Sequence, residues 1–478
     1  MRSTKIVATI GPASRDPEVL VRMVAAGLDV ARLNFSHGSL DEHAENLARV
    51  HEAAERVGRP VAVLQDLPGP KLRIGPLAGA RAELFAGEKL DIICGEEFEG
   101  DSKRMSMIWP GLADALAPGE TVYLADGLVR LVVNAVDGQV VKLTVEAGGP
   151  VGGRGGINLP GEAAALPSAS AEDLELLKFG EQIGVDLVAL SFVRSAADIA
   201  VVRDATRLPI VAKVEKPQAV ENAEEILMAA DAVMVARGDL GIELPLPQVP
   251  LVQKRLLAMA GELARPAITA TQMLDSMASA PRPTRAEVAD VANAILDGSD
   301  AVMLSQETAI GRYPVEAIEM MDAIARTTEP ELPIERWNDF RVRRDARDPA
   351  YSIAHTAAES ARDLGLKALI IPTLSGRSVR LVSAHRPCVP IFALSPGRET
   401  VRRCVLMWGV KAAEMRRHEV TEDLIFEAGQ RALEEGWVEP GDRVGITAGL
   451  PSGKPGTTSL FQVQTLQPVS DGARARWG

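Results

Sequence analysis

The chain has 478 residues, 46% of them hydrophobic and 24% charged, an ordinary globular balance with enough apolar content for two or three domains. Its formal net charge of −13 argues against a nucleic-acid or membrane-surface partner, since either would favour a broad basic face, so any anionic ligand must be met by locally gathered cations. Three scattered cysteines and six histidines offer neither a disulfide framework nor zinc-helix spacing, and no stretch has the length of a signal peptide core or a membrane span, so a cytoplasmic location is expected.

From the N-terminus, short β-rich runs recur, each followed by a helical pattern: KIVATI from Lys5, DVARLNFS from Asp29 and PVAVLQD from Pro60. The stretch from Leu67 to Leu166 has a different texture. Short alternating segments such as RAELFAGEKLDIIC and ETVYLADGLVRLVVNAVDGQVVKLTV, punctuated by glycine and proline, predict an inserted all-β domain. Within it, GGPVGGRGG, Gly148 to Gly156, reads as a mobile loop. The first pattern then resumes with VDLVALSF from Val185, PIVAKVE from Pro209, DAVMVA from Asp231, PAITATQ from Pro266 and DAVMLS from Asp300. Eight such units predict a parallel sheet covered by helices and closed as a (β/α)8 barrel. The clearest helix start is Thr284-Arg-Ala-Glu287, a capping box opening AEVADVANAILDG. No internal repeat beyond the βα period is apparent.

After Glu331 a charged stretch, ERWNDFRVRRDARDP, breaks the pattern, and a separate αβ alternation follows with KALIIPT, VPIFALS, VKAAEM and RVGITAG as strands. The expected architecture is therefore α/β: a (β/α)8 TIM barrel over 1–66 and 167–335, a small inserted β-barrel over 67–166, and a C-terminal α/β domain over 345–478.

Residues i and i+2 of a strand share a face. Lys213 and Glu215 thus point the same way at the end of PIVAKVE, as do Arg32, Asn34 and Ser36 in VARLNFS. Barrel active sites form at the carboxyl ends of strands, and polar residues gather there: Asn34, Ser36, Asp66, Ser191, Lys213, Glu215, Arg237, Asp239, Thr271, Ser305 and Glu307. Singly, a strand-end Asn or Ser ordinarily caps a turn, and a Lys–Glu pair is ordinarily structural. Nearly every strand ending in polar groups on one rim has no such explanation from stability. Glu215 and Asp239 are hard oxygen ligands suited to Mg2+, or Mn2+, which keeps several waters and takes only one or two protein carboxylates. Arg32, Arg73 and Lys213 are suited to clamping a phosphoryl group and neutralising charge as it moves. Phosphoryl transfer is the reaction class these types suggest, although neither a Walker A loop nor a G-x-G-x-x-G after a strand is present, so a nucleotide must be held another way.

TKIVATIGPAS, ARLNFSHG, GPKLRIG, AKVEKPQAV, MVARGDLGIE, ATQMLDSM, PRPTRAEVADVANAILDGSDAVMLSQETAIGRYP and TLSGRS, in this order, resemble the motifs of the pyruvate kinases. The resemblance implies transfer of a phosphoryl group from phosphoenolpyruvate to ADP, in glycolysis, by a homotetramer. It implies that Glu215 and Asp239 hold Mg2+ and that Lys213 stabilises charge on the phosphoryl group and the enolate. The substrate carboxylate is expected at the backbone N–H groups of Gly238 and Asp239, where glycine permits a tight turn, with Thr271 completing the pocket. Arg237 is expected to brace the loop. Thr271, Ser305 and Glu307 are expected to line the route by which the enolate is protonated, without singling out the donor. Arg32, Asn34 and Arg73 would face the phosphate and nucleotide, with Asp126 closing from the inserted domain, which acts as a lid.

Departures from the family pattern carry expectations of their own. Many members have Thr-Lys-Gly-Pro-Glu after the third-strand aspartate and hold K+ in a set that here maps to Asn34, Ser36, Asp66 and the Leu67 carbonyl. This chain has Leu67-Pro-Gly-Pro-Lys71. An ammonium at Lys71 could take the cation's place, which predicts K+-independent activity; the alternative is that Lys71 offsets nearby acids while K+ still binds. A lysine common in the lid is absent beside Arg154 and Gly155, and Gln306 stands where a glycine is usual. In the C-terminal domain, Thr373, Ser375, Gly376, Arg377 and Ser378 resemble the effector phosphate loop, but AGLPSGKPGTT lacks the tryptophan and arginine of relatives that bind a sugar bisphosphate. A monophosphate activator, AMP or a sugar monophosphate, is expected. Two other readings are an aldolase- or lyase-type barrel acting on a related enolate, which needs no lid, and a catalytically silent metabolite sensor, which has no need of Lys213, Glu215, Asp239 and Thr271.

Overall fold

The computed structural model describes residues 2–70, 72–125, 127–158, 167–334, 337, 348–449 and 458–467. Eight parallel strands close into a barrel: Lys5–Thr9, Val30–Asn34, Ala62–Asp66, Leu187–Leu190, Ile210–Val214, Ala232–Ala236, Ala267–Ala270 and Ala301–Leu304. Each lies within one of the runs read from the sequence, and the last returns to the first with Lys5 opposite Ala301. Alternation along each strand builds two apolar layers. Ile6 and Ala8 join the layer beneath the helices, whereas Val7, Leu64, Val211, Met234 and Ile268 fill the interior. The helix Arg285–Leu296 begins at the expected capping box, with Thr284 and Glu287 exchanging backbone N–H bonds reciprocally.

The amino-terminal end of the barrel carries a device that repeats on alternate strands. An aspartate stands immediately before the second, fourth, sixth and eighth strands and accepts the N–H of the first or second residue of the strand before it: Asp29 from Ile6 (2.9 Å), Asp186 from Val63 (2.9 Å), Asp231 from Ile210 (3.0 Å) and Asp300 from Ala267 (2.9 Å). Each is then neutralised by an arginine: Asp29 by Arg2 at 2.8 Å, Asp186 by Arg402 at 2.7 Å, Asp231 by Arg203, and Asp300 by Arg386 at 2.6 Å. This is a period of two βα units, which the single-unit reading passed over. Arg386 and Arg402 come from the C-terminal domain, so the same carboxylates that finish the strand ladders also dock that domain.

The C-terminal domain is a five-stranded sheet in the order Val410–Glu414, Ile391–Ser395, Ala368–Pro372, Arg443–Gly449 and Thr458–Thr465. The four strands read from the sequence are parallel. The fifth, antiparallel at the edge, was missed, its FQVQ alternation being the one signal for it. The insert is mainly β, with one short helix, Gly111–Ala115, that the all-β expectation did not include: a six-stranded sheet and a two-stranded ribbon share one apolar core, which joins them where a continuous ladder does not. Gly149–Gly152, read from sequence as part of a mobile loop, is instead a strand of that ribbon, paired with Arg81–Leu84. Glycine is needed there because a side chain at the adjoining Gly148 would stand 2.2 Å from the Leu84 carbonyl oxygen.

Lys5 donates to the Val410 carbonyl at 2.5 Å across the seam between the barrel and the C-terminal domain. Burial pulls its ammonium down to about 8 from 10.5, with the Asp29 attraction opposing and Arg2 and Arg59 adding to it. Between those values the unfolded chain holds a proton that the folded chain has released, so this group makes stability rise with pH. Lys5→Met should remove that rise. Urea midpoints from about pH 7.5 to about pH 10 should show the parent gaining on the variant; parallel curves would refute it.

Candidate active site

The carboxyl ends of the second to fifth strands converge on one buried ammonium. Lys213 Nζ lies 2.9 Å from Glu215 Oε1 and 3.2 Å from Asp66 Oδ1 and donates to Ser191 Oγ at 2.7 Å. Ser191 in turn donates to the Leu67 carbonyl at 2.8 Å. Arg32 reaches Asp66 Oδ2 through Nε and Nη2, both at 2.7 Å, and Thr9 Oγ1 through Nη1 at 2.9 Å. The side chains of Lys213, Asp66 and Glu215 are 12%, 2% and 1% exposed, so these charges interact with little screening by water.

The titration directions follow from this crowding. Burial alone would raise the Asp66 carboxyl, but Lys213 and then Arg32 outweigh it and hold it below the usual range. Burial likewise works against the Lys213 charge, and Asp66 and Glu215 more than reverse that, keeping it an ammonium. Glu215 moves upward: burial dominates, Lys213 opposes, and the Asp239 charge adds to it. The attraction of Lys213 is divided between two carboxylates, so the Glu215–Asp239 side of the site keeps an excess of negative charge. Among the described residues no three His, Cys, Asp or Glu side chains form a metal cage. Two carboxylates short of positive charge fit Mg2+, which leaves its other positions to water and substrate oxygens.

The sixth strand runs into the short helix Arg237–Glu243. Arg237 braces the neighbouring loop as expected, donating to Asp290 Oδ1 at 2.7 Å and the Thr271 carbonyl at 2.8 Å. It thereby holds Thr271 and Gln272 in left-handed backbone, φ 70° and 55°, where a β-branched residue is an outlier of the kind found at functional sites. Gly238 donates its N–H to Thr271 Oγ1 at 2.7 Å, and a Cβ there would lie 3.3 Å from that oxygen. The expectation of a glycine-permitted tight turn is corrected: Gly238 has no left-handed φ, and what it allows is close approach to Thr271. The Asp239 side chain, half-buried, has no hydrogen bond or ion pair among the described residues.

Glu307 is buried, and each carboxylate oxygen accepts a backbone N–H, from Leu274 at 3.1 Å and from Ser305 at 2.6 Å. It ties the seventh-strand loop to the eighth, while the Ser305 hydroxyl is buried without a hydrogen-bond partner among the described residues. Asn34 Oδ1 accepts from Ser36 N at 3.2 Å, and Asn34 lies in register with Asp66. Arg73 is exposed within the insert, donating to the Arg154 carbonyl at 3.1 Å, and no contact joins it to the rim among the described residues. The tip of the insert does reach the barrel, since a Cβ at Gly127 would stand 3.1 Å from Ile242. Lys71 and Asp126 lie outside the described residues. Reading the sequence also passed over Lys216 and Glu243, an ion pair linking the fifth- and sixth-strand loops, although Lys216 directly follows Glu215.

In the C-terminal domain the loop Thr373–Ser378 leaves the central strand where the sheet order reverses, with Ile391–Ser395 on one side and Arg443–Gly449 on the other. Doubly wound sheets bind ligands in the crevice at such a switch point. Gly376 has φ 80° and donates to Thr373 Oγ1 at 2.9 Å. Arg377 pairs with Asp348, and Ser378 with Thr458; Ser375 is exposed.

A closed parallel barrel whose carboxyl rim gathers buried cations beside paired carboxylates defines an enzyme that handles anionic substrates. Comparison with known proteins narrows the class. The family model "Pyruvate kinase, barrel domain" matches residues 1–318 and "Pyruvate kinase, alpha/beta domain" matches residues 351–464. The pyruvate kinase of Geobacillus stearothermophilus is 44% identical over 476 residues, 98% of this chain and 81% of that protein. That of Mycobacterium tuberculosis is 43% identical over 479 residues, covering 97% and 98%, and that of Clostridium acetobutylicum 38% over 473 residues, covering 98% and 100%. The chain belongs to the pyruvate kinase family and is a phosphotransferase.

Because Asp66 is the common counter-ion of Arg32 and Lys213, Asp66→Ala strands the buried Arg32 guanidinium, leaves Lys213 with Glu215 as its carboxylate partner, and should cost about 3–5 kcal/mol of stability. Urea denaturation measures it, and a loss within experimental error would show that the two cations do not depend on Asp66.

Proposed function

We propose that the chain transfers the phosphoryl group of phosphoenolpyruvate to ADP, in glycolysis, with Mg2+ held by Glu215 and Asp239. The observation that carries this reading is the Lys213 ammonium, kept charged in a buried pocket on the same rim as those carboxylates. When bound, Mg2+ supplies Lewis-acid stabilisation of the substrate oxygens. The bond between the enol oxygen and phosphorus breaks as one forms to the ADP β-phosphate oxygen, leaving an enolate that takes a proton at carbon. Lys213 and Arg32 are the cations placed to offset charge as it moves. The substrate carboxylate would accept from the Gly238 and Asp239 N–H groups, with the Thr271 hydroxyl, which donates to the Ala270 carbonyl at 2.6 Å, turning from it to donate to the substrate. Thr271 and Ser305 are the hydroxyls on the protonation side, while Glu307, committed to backbone N–H groups, positions their loops. Arg32, Asn34, Arg73 and Asp126 would meet the nucleotide as the insert closes and excludes water. No described helix is long and apolar enough to cross a membrane; a cytoplasmic homotetramer completes the proposal.

Pyruvate release from phosphoenolpyruvate with Mg2+ should require ADP, which separates this reading from an aldolase or lyase, and Lys213→Met should lower kcat by at least about 100-fold. The same assay without K+ or NH4+ tests the built-in cation. Lys71 is proposed to serve beside Asn34, Ser36, Asp66 and the Leu67 carbonyl, so full activity is expected before KCl is added. Activity that appears only with KCl, at matched ionic strength, would discard Lys71 and leave the phosphotransferase reading intact.

The switch-point position of Thr373, Ser375, Gly376, Arg377 and Ser378 supports allosteric activation by a phosphate monoester. AMP or a sugar monophosphate should lower the concentration of phosphoenolpyruvate needed for half-maximal rate, and Arg377→Ala should abolish that response. Stronger activation by fructose 1,6-bisphosphate would overturn the monophosphate assignment.

A further inference from the structure

Glu215 is fixed from two sides, by Lys213 at 2.9 Å and by the Phe192 N–H, which donates to Glu215 Oε2 at 2.7 Å. Asp239 has no such anchor, and its position depends on the helix Arg237–Glu243. Arg237 pins the start of that helix to Asp290 and Thr271. Its end is pinned by Glu243, one helical turn beyond Asp239, through an ion pair with Lys216, the residue that directly follows Glu215. The pair is sequestered, with side chains 15% and 1% exposed for Lys216 and Glu243. Lys216 Nζ also stands 5.8 Å from the centroid of the Phe192 ring, and Phe192, at φ 55°, is the residue whose N–H orients Glu215. Among the described residues the second Glu243 oxygen, Oε2, is buried without a hydrogen-bond partner, so the pair is not the fully satisfied arrangement that stability alone would favour.

We infer that Lys216 and Glu243 are positioning residues, a clamp that sets the spacing between Glu215 and Asp239 for a divalent cation; this rests on the metal reading above. The pair spans the two loops that carry the carboxylates and touches neither of them through a shared hydrogen bond, so its effect is on distance and orientation. Losing such outer support typically weakens metal affinity about 10–100-fold.

Electron paramagnetic resonance of Mn2+ bound to the full-length protein, without substrate, reads this directly. Glu215→Gln should lose the site. Lys216→Met and Glu243→Gln should each weaken Mn2+ by about 10–100-fold while circular dichroism stays that of the parent. The double variant should be little weaker than the weaker single one, because both substitutions remove the same Lys216–Glu243 ion pair. Parental Mn2+ affinity in Glu215→Gln would overturn the metal assignment and the clamp together. Loss in Glu215→Gln with parental affinity in Lys216→Met or Glu243→Gln overturns the clamp and leaves the metal assignment standing, as does full additivity in the double variant. Glu243→Gln keeps the side-chain shape, so it carries the test should Lys216→Met fail to fold.

Discussion

The charge of Lys213, held in a nearly water-free pocket, is the constraint around which the active end of this barrel is organised. An ammonium there is costly unless carboxylates surround it. Asp66 and Glu215 meet that need, Arg32 shares Asp66, and Ser191 fixes the third donor direction. Four strand ends are thereby bound to one point. The arrangement leaves the cation side of the pocket satisfied and the Glu215–Asp239 side with an excess of negative charge, an asymmetry that suits the proposed binding of an anion and a divalent metal.

The two ends of the barrel use the same residue types for opposite purposes. At the amino-terminal end, Asp29, Asp186, Asp231 and Asp300 each take a strand N–H and an arginine, and two of them, Asp186 and Asp300, join the barrel to the C-terminal domain through Arg402 and Arg386. At the carboxyl end polar atoms are left over: among the described residues the Ser305 hydroxyl and one Glu243 oxygen are buried without a hydrogen-bond partner. Thr271, Gln272 and Phe192 are held at positive φ. That strain lies beside the residues proposed to bind substrate and metal, where sparsely populated backbone conformations are often functional.

Much of this was legible in the sequence, and what escaped did so for identifiable reasons. The barrel strands are continuous apolar runs because both of their faces are buried, which makes them easy to find. The ribbon strand Gly149–Gly152 was hidden because glycine, needed for close passage by Leu84, carries no β signal. The edge strand Thr458–Thr465 is half-exposed and short of apolar residues. The aspartate that precedes every second strand was visible, but its arginine was not, since Arg386 and Arg402 lie far along the chain from Asp300 and Asp186.

The sequence by itself determined the eightfold βα pattern, the inserted, mainly β segment, the family, and which polar residues end the barrel strands. Those are properties of local period and motif, readable one strand at a time. Only the tertiary structure decided that Lys213 is shared between Asp66 and Glu215, that Glu307 is spent on backbone donors, that Gly238 serves Thr271 rather than a left-handed turn, and that Lys216 reaches Glu243. Each is a contact between different loops whose distance and burial set the charge balance, and neither quantity exists until the strands have closed.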